Sequence, residues 1–293
     1  MVGRPVDVLM CAGPGDVRGL FPLSLRLLLE NCSWAGRVHV VTPEPAAARQ
    51  ALGTLPAPWW RRIAFHRDGE LAGTRGMELP GWFRQQYIKL HADLICETGN
   101  LICTGADSLL LDPIHEHELI RGSMPVLRYF RYEFAAAHLY FERARVLNVA
   151  GLLGADPERS FLPGDFICDF FPMSASHLRS LRAHIDALHG VDGLRRILAR
   201  LGPAISPDNR FGEWSMYSVF VLDVLKARVP LELAERDWAR QIHSRRDMLR
   251  AGRYSARLVH FAQEPGGTRA VVADLVSAGR LRRELVDTLG STE

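Results

Sequence analysis

The hydrophobic positions in the first seventy residues change period in a way that predicts alternating strands and helices. Val6 to Cys11 is a short apolar run broken by one acid, and Arg37 to Thr42 is a second run that Pro43 ends. Between them, Val17 to Asn31 carries leucines at helical spacing, and Ile63 to His66 is a third short run. Strand, helix and strand at this pitch form a βαβ unit, which predicts a parallel sheet covered by helices.

The period changes again within the segment from Trp82 to Pro113. This segment opens with helical spacing of its apolar residues, and a short apolar strand, Leu101 to Thr104, follows a Gly-Asn turn. The strand stops just before Asp107, after which an apolar run resumes. Ligands of open α/β sheets bind in the crevice outside the carboxyl ends of the strands. Asp107 is therefore the first candidate for a ligand-binding residue.

The second half of the chain adds a further predicted strand and several helices. Ser160 to Pro172 reads as a buried strand that contains two acids, Asp165 and Asp169. Acids within an apolar strand cost free energy unless they are paired, so at least one should face a cleft, and the residues do not choose between them. Helices are predicted at Ala175 to His189, Gly193 to Leu201 and Ala270 to Leu289.

Composition narrows the class of protein. The chain has 293 residues and a formal net charge of only +3, so we expect no nucleic-acid partner. Five scattered cysteines, no signal peptide and no long apolar run predict a cytoplasmic protein with reduced thiols and no membrane span. The run His115-Glu116-His117-Glu118 has the wrong spacing for a helical zinc motif and is interpreted as a loop or helix start.

Two polar residues near the predicted strand ends have alternative interpretations. Asp16 follows the first strand, where it would either accept hydrogen bonds from a nucleobase or ribose or cap the following helix. Lys89 lies on the helix before Asp107, where it would either contact a phosphate or donor sugar or be an exposed lysine on a helix face.

The helix that begins at Trp82 and the strand that precedes Asp107 resemble those of a known family. The helix pattern Trp-x-x-Gln-Gln-x-x-x-Lys-Leu, beginning at Trp82, followed by a strand with an acidic end, resembles the GT-A glycosyltransferases. The resemblance is greatest to the glycogenin-like enzymes and a related bacterial family. It implies an α/β, Rossmann-like GT-A fold with a mixed, mostly parallel sheet. It also implies one domain, residues 1–293, with a nucleotide-sugar donor half (1–115) and an acceptor half (116–293).

The same resemblance implies a donor site. In such enzymes the strand ends Asp-x-Asp and both carboxylates hold a divalent metal on the donor's diphosphate, whereas here the tripeptide is Gly105-Ala106-Asp107. The lost carboxylate predicts weak binding of Mn²⁺ or Mg²⁺, with His260 as the second ligand beside Asp107. Gln86 and Lys89 would contact the donor, and Asp16 its nucleoside.

Glu213 is the candidate general base on the acceptor side, with Asp165 or Asp169 as the alternative catalytic acid. It opens a predicted helix that loosely matches a Ser-Glu-Tyr-x-x-Tyr pattern of the bacterial family, and it lies between Phe211 and Trp214. A partly desolvated carboxylate there would have a raised pKa, although an acid at a helix start also simply stabilises the first turn. The sequence thus predicts glycosyl transfer to a small-molecule or glycan acceptor. The alternative is a degenerate, non-catalytic nucleotide-sugar binder, which the lost carboxylate favours.

Overall fold

A computed structural model describes residues 6–71, 74, 79, 81–130, 136–156, 164, 166, 169–201, 211–234, 238–242, 257–261 and 265–287. Twelve strands are assigned within these residues: β1 (Val6–Cys11), β2 (Ala35–Thr42), β3 (Ile63–Arg67), β4 (Asn100–Gly105), β5 (Ser108–Leu110), β6 (Ile120–Arg121), β7 (Met124–Pro125), β8 (Leu127–Tyr129), β9 (Phe171–Ser174), β10 (Leu231–Leu233), β11 (Ala239–Ile242) and β12 (Leu258–Phe261).

Helices alternate with the strands in the first half of the chain and dominate the second half. Those in the described residues are α1 (Pro14–Val17), α2 (Phe21–Asn31), α3 (Pro45–Ala51), α4 (Ala57–Trp60), α5 (Gly81–Lys89), α6 (Glu116–Leu119), α7 (Ala136–Leu152), α8 (Ala175–His189), α9 (Gly193–Leu201), α10 (Glu213–Val219), α11 (Pro265–Ser277) and α12 (Arg283–Asp287). Short 3₁₀ turns occur at Asp68–Glu70 and Ala92–Leu94, and a π-helical turn, Phe220–Val224, extends α10.

The central sheet has five strands in the order β3-β2-β1-β4-β9. The first four are parallel, whereas β9 pairs antiparallel with β4. A second sheet, β11-β12-β5, joins the end of the chain to the segment after β4, with His260 opposite Ser108. Two smaller ladders, β10-β8 and β6-β7, complete the strand pairing of the described residues. The predicted mixed, mostly parallel sheet with flanking helices is confirmed.

Both faces of the central sheet are covered, which is why its inner strands are apolar on both sides. Alternate residues of β1 enter two different cores: Leu9 and Cys11 pack with α5, α8, α9 and α10, whereas Val8 and Met10 pack with α2 and α3. A third core joins the outer side of α2 to β5, β12 and α11. No helix in the described ranges combines the length and apolarity that a membrane span requires.

Three predicted elements differ from the structure at their ends. The helix predicted from Val17 to Asn31 begins only at Phe21, because the short helix α1 already ends at Val17 and Pro22, which lacks an N–H, lies in the first turn of α2. The helix predicted from Ala270 is likewise divided, since Gly279 has a left-handed φ of 70° and its N–H bonds back to Val276.

The third difference concerns the strand predicted from Ser160 to Pro172. In the described residues the strand begins only at Phe171, because Phe170 has a left-handed φ of 63° that interrupts extended backbone. Asp165 lies outside the described residues. By contrast, the interpretation of His115 as part of a helix start is correct, since it is the N-cap residue of α6 and its N–H donates to Glu118.

Candidate functional site

The candidate site lies where β1 and β4 end side by side. Cys11, the last residue of β1, is paired with Gly105, the last residue of β4, so the turns after both strands meet at the same edge of the sheet. Asp107 is in the turn after β4 and is partly exposed. The prediction that this acid lies at the carboxyl end of a buried strand is therefore correct.

Two carboxylates surround the position of the missing side chain at Gly105. A Cβ placed on Gly105 would be 2.3 Å from Asp107 Oδ1 and 3.6 Å from Asp169 Oδ1. Asp169 reaches this place from the segment just before β9, and the left-handed backbone of Phe170 follows it directly. Strained backbone in a bulky residue is common at functional sites, where it aims a neighbouring group. Of the two acids predicted before Pro172, the structure thus places Asp169 beside Asp107.

Lys89 and Glu213 form a buried ion pair next to these carboxylates. Lys89 Nζ donates to Glu213 Oε1 at 2.7 Å, and the two side chains are 9% and 5% exposed. Burial alone would lower the pKa of Lys89, but the charge of Glu213, with smaller contributions from Cys11 and Asp169, raises it. The interpretation of Lys89 as an exposed lysine is therefore wrong, because the last turn of α5 faces the core.

Aromatic and amide groups hold this ion pair in place. The ammonium of Lys89 lies 4.6 Å from the ring centroid of Trp214, and Trp214 stacks on Phe171 at 4.8 Å. Gln86 Oε1 accepts the backbone N–H of Glu213 at 2.9 Å, so this amide fixes the first turn of α10. Gln86 is itself only 2% exposed. Its contact is with the protein, and its donor-binding role stays a prediction.

Asp16 lies across the same edge of the sheet in α1. Its Oδ2 accepts the N–H of Gly13 at 2.7 Å, so Asp16 stabilises the start of α1 from within that helix and does not cap the following helix, α2, whose N-cap residue is Leu20. The Gln85 amide nitrogen lies 3.7 Å from the position that a Cβ on Gly13 would take, which brings α5 up to this turn. Asp16 is partly exposed, and its proposed contact with a nucleoside stays a prediction.

The backbone of His260 is also brought to this region. His260 pairs with Ser108, the residue after Asp107, through the antiparallel ladder between β12 and β5. The segments that carry the two predicted metal ligands are therefore neighbours in the fold.

Tyr217, one turn after Glu213 in α10, is a core residue. Its hydroxyl accepts the N–H of Ser174 at 2.8 Å and contacts His177 at 3.0 Å.

Solved structures with a similar fold exist, although sequence similarity is low. An active-site mutant of LgtC and the galactosyltransferase LgtC in complex with donor and acceptor sugar analogues both align with a TM-score of 0.52, at 12% and 13% identity. Each alignment covers 97% of this chain and 100% of the other. The chain has the GT-A glycosyltransferase fold. No protein-family model matches it, and no curated protein matches it by sequence. The finer resemblance to glycogenin-like enzymes is not supported by these neighbours.

Proposed function

We propose that this protein transfers a sugar from a nucleotide-sugar donor to a hydroxyl group of a small-molecule or glycan acceptor. The observation that carries the proposal is the convergence of Asp107, Asp169 and the Lys89–Glu213 pair at the carboxyl edge of a GT-A sheet. In the proposed arrangement, residues 1–115 form the donor half of a single domain and residues 116–293 the acceptor half.

The residues around Gly105 fit a hard divalent cation. Carboxylate oxygens are the ligands that Mn²⁺ and Mg²⁺ prefer, and Asp169 brings a second one to the place that Gly105 leaves without a side chain. In the proposed site Asp107 and Asp169 hold the cation, with His260 from β12 as a further ligand. When bound, the cation neutralises charge on the donor's diphosphate. Asp16 binds the nucleoside from the turn after β1.

On the acceptor side, Glu213 is the proposed general base. The acceptor hydroxyl oxygen forms a bond to the anomeric carbon, the bond from that carbon to the diphosphate oxygen breaks, and the nucleoside diphosphate leaves with the electron pair. Glu213 takes the acceptor's proton. The pair with Lys89 keeps this carboxylate at a fixed position, and Gln86 fixes the helix start from which it projects.

The direct test is a panel of nucleoside diphosphates and nucleotide-sugars, with and without Mn²⁺. We expect one nucleotide-sugar to raise the melting temperature, more so with Mn²⁺, and to release nucleoside diphosphate by transfer or slow hydrolysis. Asp107→Asn should abolish the stabilisation. The matched control is Asp112→Asn, which makes the same charge change nearby at a residue paired with Arg280 at 2.7 Å.

The degenerate binder is the second candidate, favoured by Gly105 in the acidic turn. It predicts binding of a nucleotide-sugar without transfer or hydrolysis in any pool of acceptors. If no nucleotide or nucleotide-sugar stabilises the protein, both candidates are wrong.

A further inference from the structure

A second group of chemically reactive side chains lies toward the other end of the central sheet. Asp7 is near the start of β1, His39 is on β2, and Cys96 is in the turn that leads to β4. One ligand atom from each of these residues lies within 4.8 Å of the other two, and all three residues are buried. This Asp7–His39–Cys96 cluster is separate in the fold from the turn that carries Asp107.

The histidine of this cluster has an unsatisfied nitrogen that faces the other two side chains. His39 is 3% exposed, and its buried Nε2 makes no hydrogen bond. The nearest carboxylate oxygen, Asp7 Oδ2, is 3.6 Å away, which is longer than a hydrogen bond. His39 Nε2 thus has a long ion-pair contact but no hydrogen bond, and a buried polar atom without a hydrogen bond costs about 1–3 kcal/mol, so a group that coordinates this nitrogen would be stabilising.

The other ring nitrogen of His39 contacts a neighbouring histidine. His39 Nδ1 lies 2.9 Å from His66 Nε2, and the two rings stack at 5.1 Å. In the tautomer in which His39 Nδ1 donates to His66, this hydrogen bond orients the ring and leaves the lone pair of His39 Nε2 available to a metal. The unsatisfied Nε2 therefore has its orientation set by a neighbour on β3.

The carboxylate of Asp7 is fixed in the same way. Its Oδ1 accepts the N–H of Arg37 at 2.9 Å, and its Oδ2 accepts the N–H of Glu97 at 3.1 Å. These two bonds hold the carboxylate between β2 and the turn that contains Cys96.

We infer that Asp7, His39 and Cys96 bind a zinc ion as three of its four ligands, with the fourth coordination position left to a non-protein ligand. Carboxylate oxygen, imidazole nitrogen and thiolate sulfur are the three ligand types that zinc takes in proteins, whereas Mn²⁺ and Mg²⁺ prefer oxygen. A zinc ion between the three side chains would satisfy the His39 Nε2 atom. It would also tie together β1, β2 and the turn before β4, three segments that are distant in sequence.

A simpler interpretation is a buried contact between Asp7 and His39, with Cys96 as an inert neighbour. Burial raises the pKa of the Cys96 thiol well above its ordinary value, so without a metal this cysteine is an uncharged core residue. The two interpretations differ in whether sulfur takes part, and this difference can be measured directly.

The experiment uses the full chain, stripped of metal and then dialysed against ZnCl₂ or CoCl₂. We expect stoichiometric zinc by mass spectrometry, and with Co²⁺ a thiolate-to-cobalt charge-transfer band together with intense tetrahedral d–d bands. Cys96→Ser should lose the charge-transfer band, and His39→Gln should lose most of the bound zinc. Cys32→Ser is the matched control, since Cys32 is equally buried but lies in a different core.

The wild-type cobalt spectrum keeps the test decisive even if a variant does not fold. A wild-type protein that binds no Co²⁺, or binds it without a thiolate band, overturns the inference. Equal zinc content in Cys96→Ser and Cys32→Ser overturns it as well. Asp107→Asn separates this site from the proposed donor site, because it should leave the zinc content unchanged.

Discussion

The two ends of the central sheet differ in the side chains that they bring together. At the carboxyl end, two partly exposed carboxylates flank Gly105 beside a buried lysine and glutamate. At the amino end, a carboxylate, an imidazole and a thiol are all buried. Hard oxygen ligands at an open edge suit a cation that arrives with a phosphate, whereas a closed mixed set suits a cation that stays.

The comparison shows that the two groups of side chains differ in burial as well as in chemistry: the carboxylates are partly exposed, whereas the mixed group is buried. The carboxyl edge keeps Asp107 and Asp169 within reach of solvent, so the proposed donor would have access to both carboxylates. The amino end is enclosed by β1, β2 and the turn before β4, so a ligand there would serve stability. Variants at one end should therefore leave the readout of the other end unchanged, and the following predictions test that separation.

The largest expected effect is that of Glu213→Gln on turnover. Removal of the proton acceptor should lower turnover by roughly 10²–10⁴, while affinity for the donor hardly changes. The same change leaves Lys89 buried without its counter-ion, which should lower the free energy of unfolding by about 3–5 kcal/mol. Steady-state kinetics and urea unfolding measure the two effects separately.

The control for this experiment is the double variant Lys89→Met/Glu213→Gln, in which neither charge remains. It should recover stability relative to Glu213→Gln but not turnover. If the double variant recovers turnover, Glu213 acts only as the partner of Lys89 and the base is elsewhere. Zinc content should be unchanged in both proteins.

An intermediate effect is expected from two substitutions at Gly105. Gly105→Ala places a methyl group 2.3 Å from Asp107 Oδ1, so that carboxylate must rotate away and Mn²⁺-dependent nucleotide binding should weaken about tenfold or more. Gly105→Asp forces the same rotation but adds a ligand, so it should bind Mn²⁺ more tightly than Gly105→Ala. Calorimetry with and without nucleotide measures this. If both variants bind Mn²⁺ with the same affinity, the metal does not bind at this turn.

The effect that is smallest at neutral pH is a dependence of stability on pH that arises from His91, between the two ends. Burial lowers the pKa of His91 from 6.5 to about 4. Because the folded-state pKa is the lower one, the unfolded chain takes up the proton first as pH falls. The free energy of unfolding should therefore decrease between about pH 6.5 and 4, by at most about 1.4 kcal/mol per pH unit. Urea unfolding of His91→Gln should show a flatter profile, and identical profiles would contradict the assignment.

Local periodicity was enough to predict the alternating strands and helices of the first half and the position of Asp107. Local periodicity could not predict the Lys89–Glu213 pair, because the two residues are 124 positions apart and meet only through the packing of α5 on α10. Asp169 could be named as a candidate, but its approach to Gly105 depends on the backbone of Phe170. Asp7 and His39 did carry a usable signal, since both are polar residues within apolar strands, as Asp169 was thought to be.

The segment that includes α5 and the turn after it supplies residues to both ends of the sheet. Gln86 and Lys89 reach the carboxyl edge, and Cys96, a short distance along the chain, reaches the amino end. Arg182 anchors the backbone between them by bonding to Leu90 and Asp93. The number of residues between Lys89 and Cys96 is therefore constrained at both ends, because each of the two side chains has to reach its own site. A one-residue insertion or deletion here should be far less tolerated than one in the exposed turn at Gly53, whatever residue is inserted or removed.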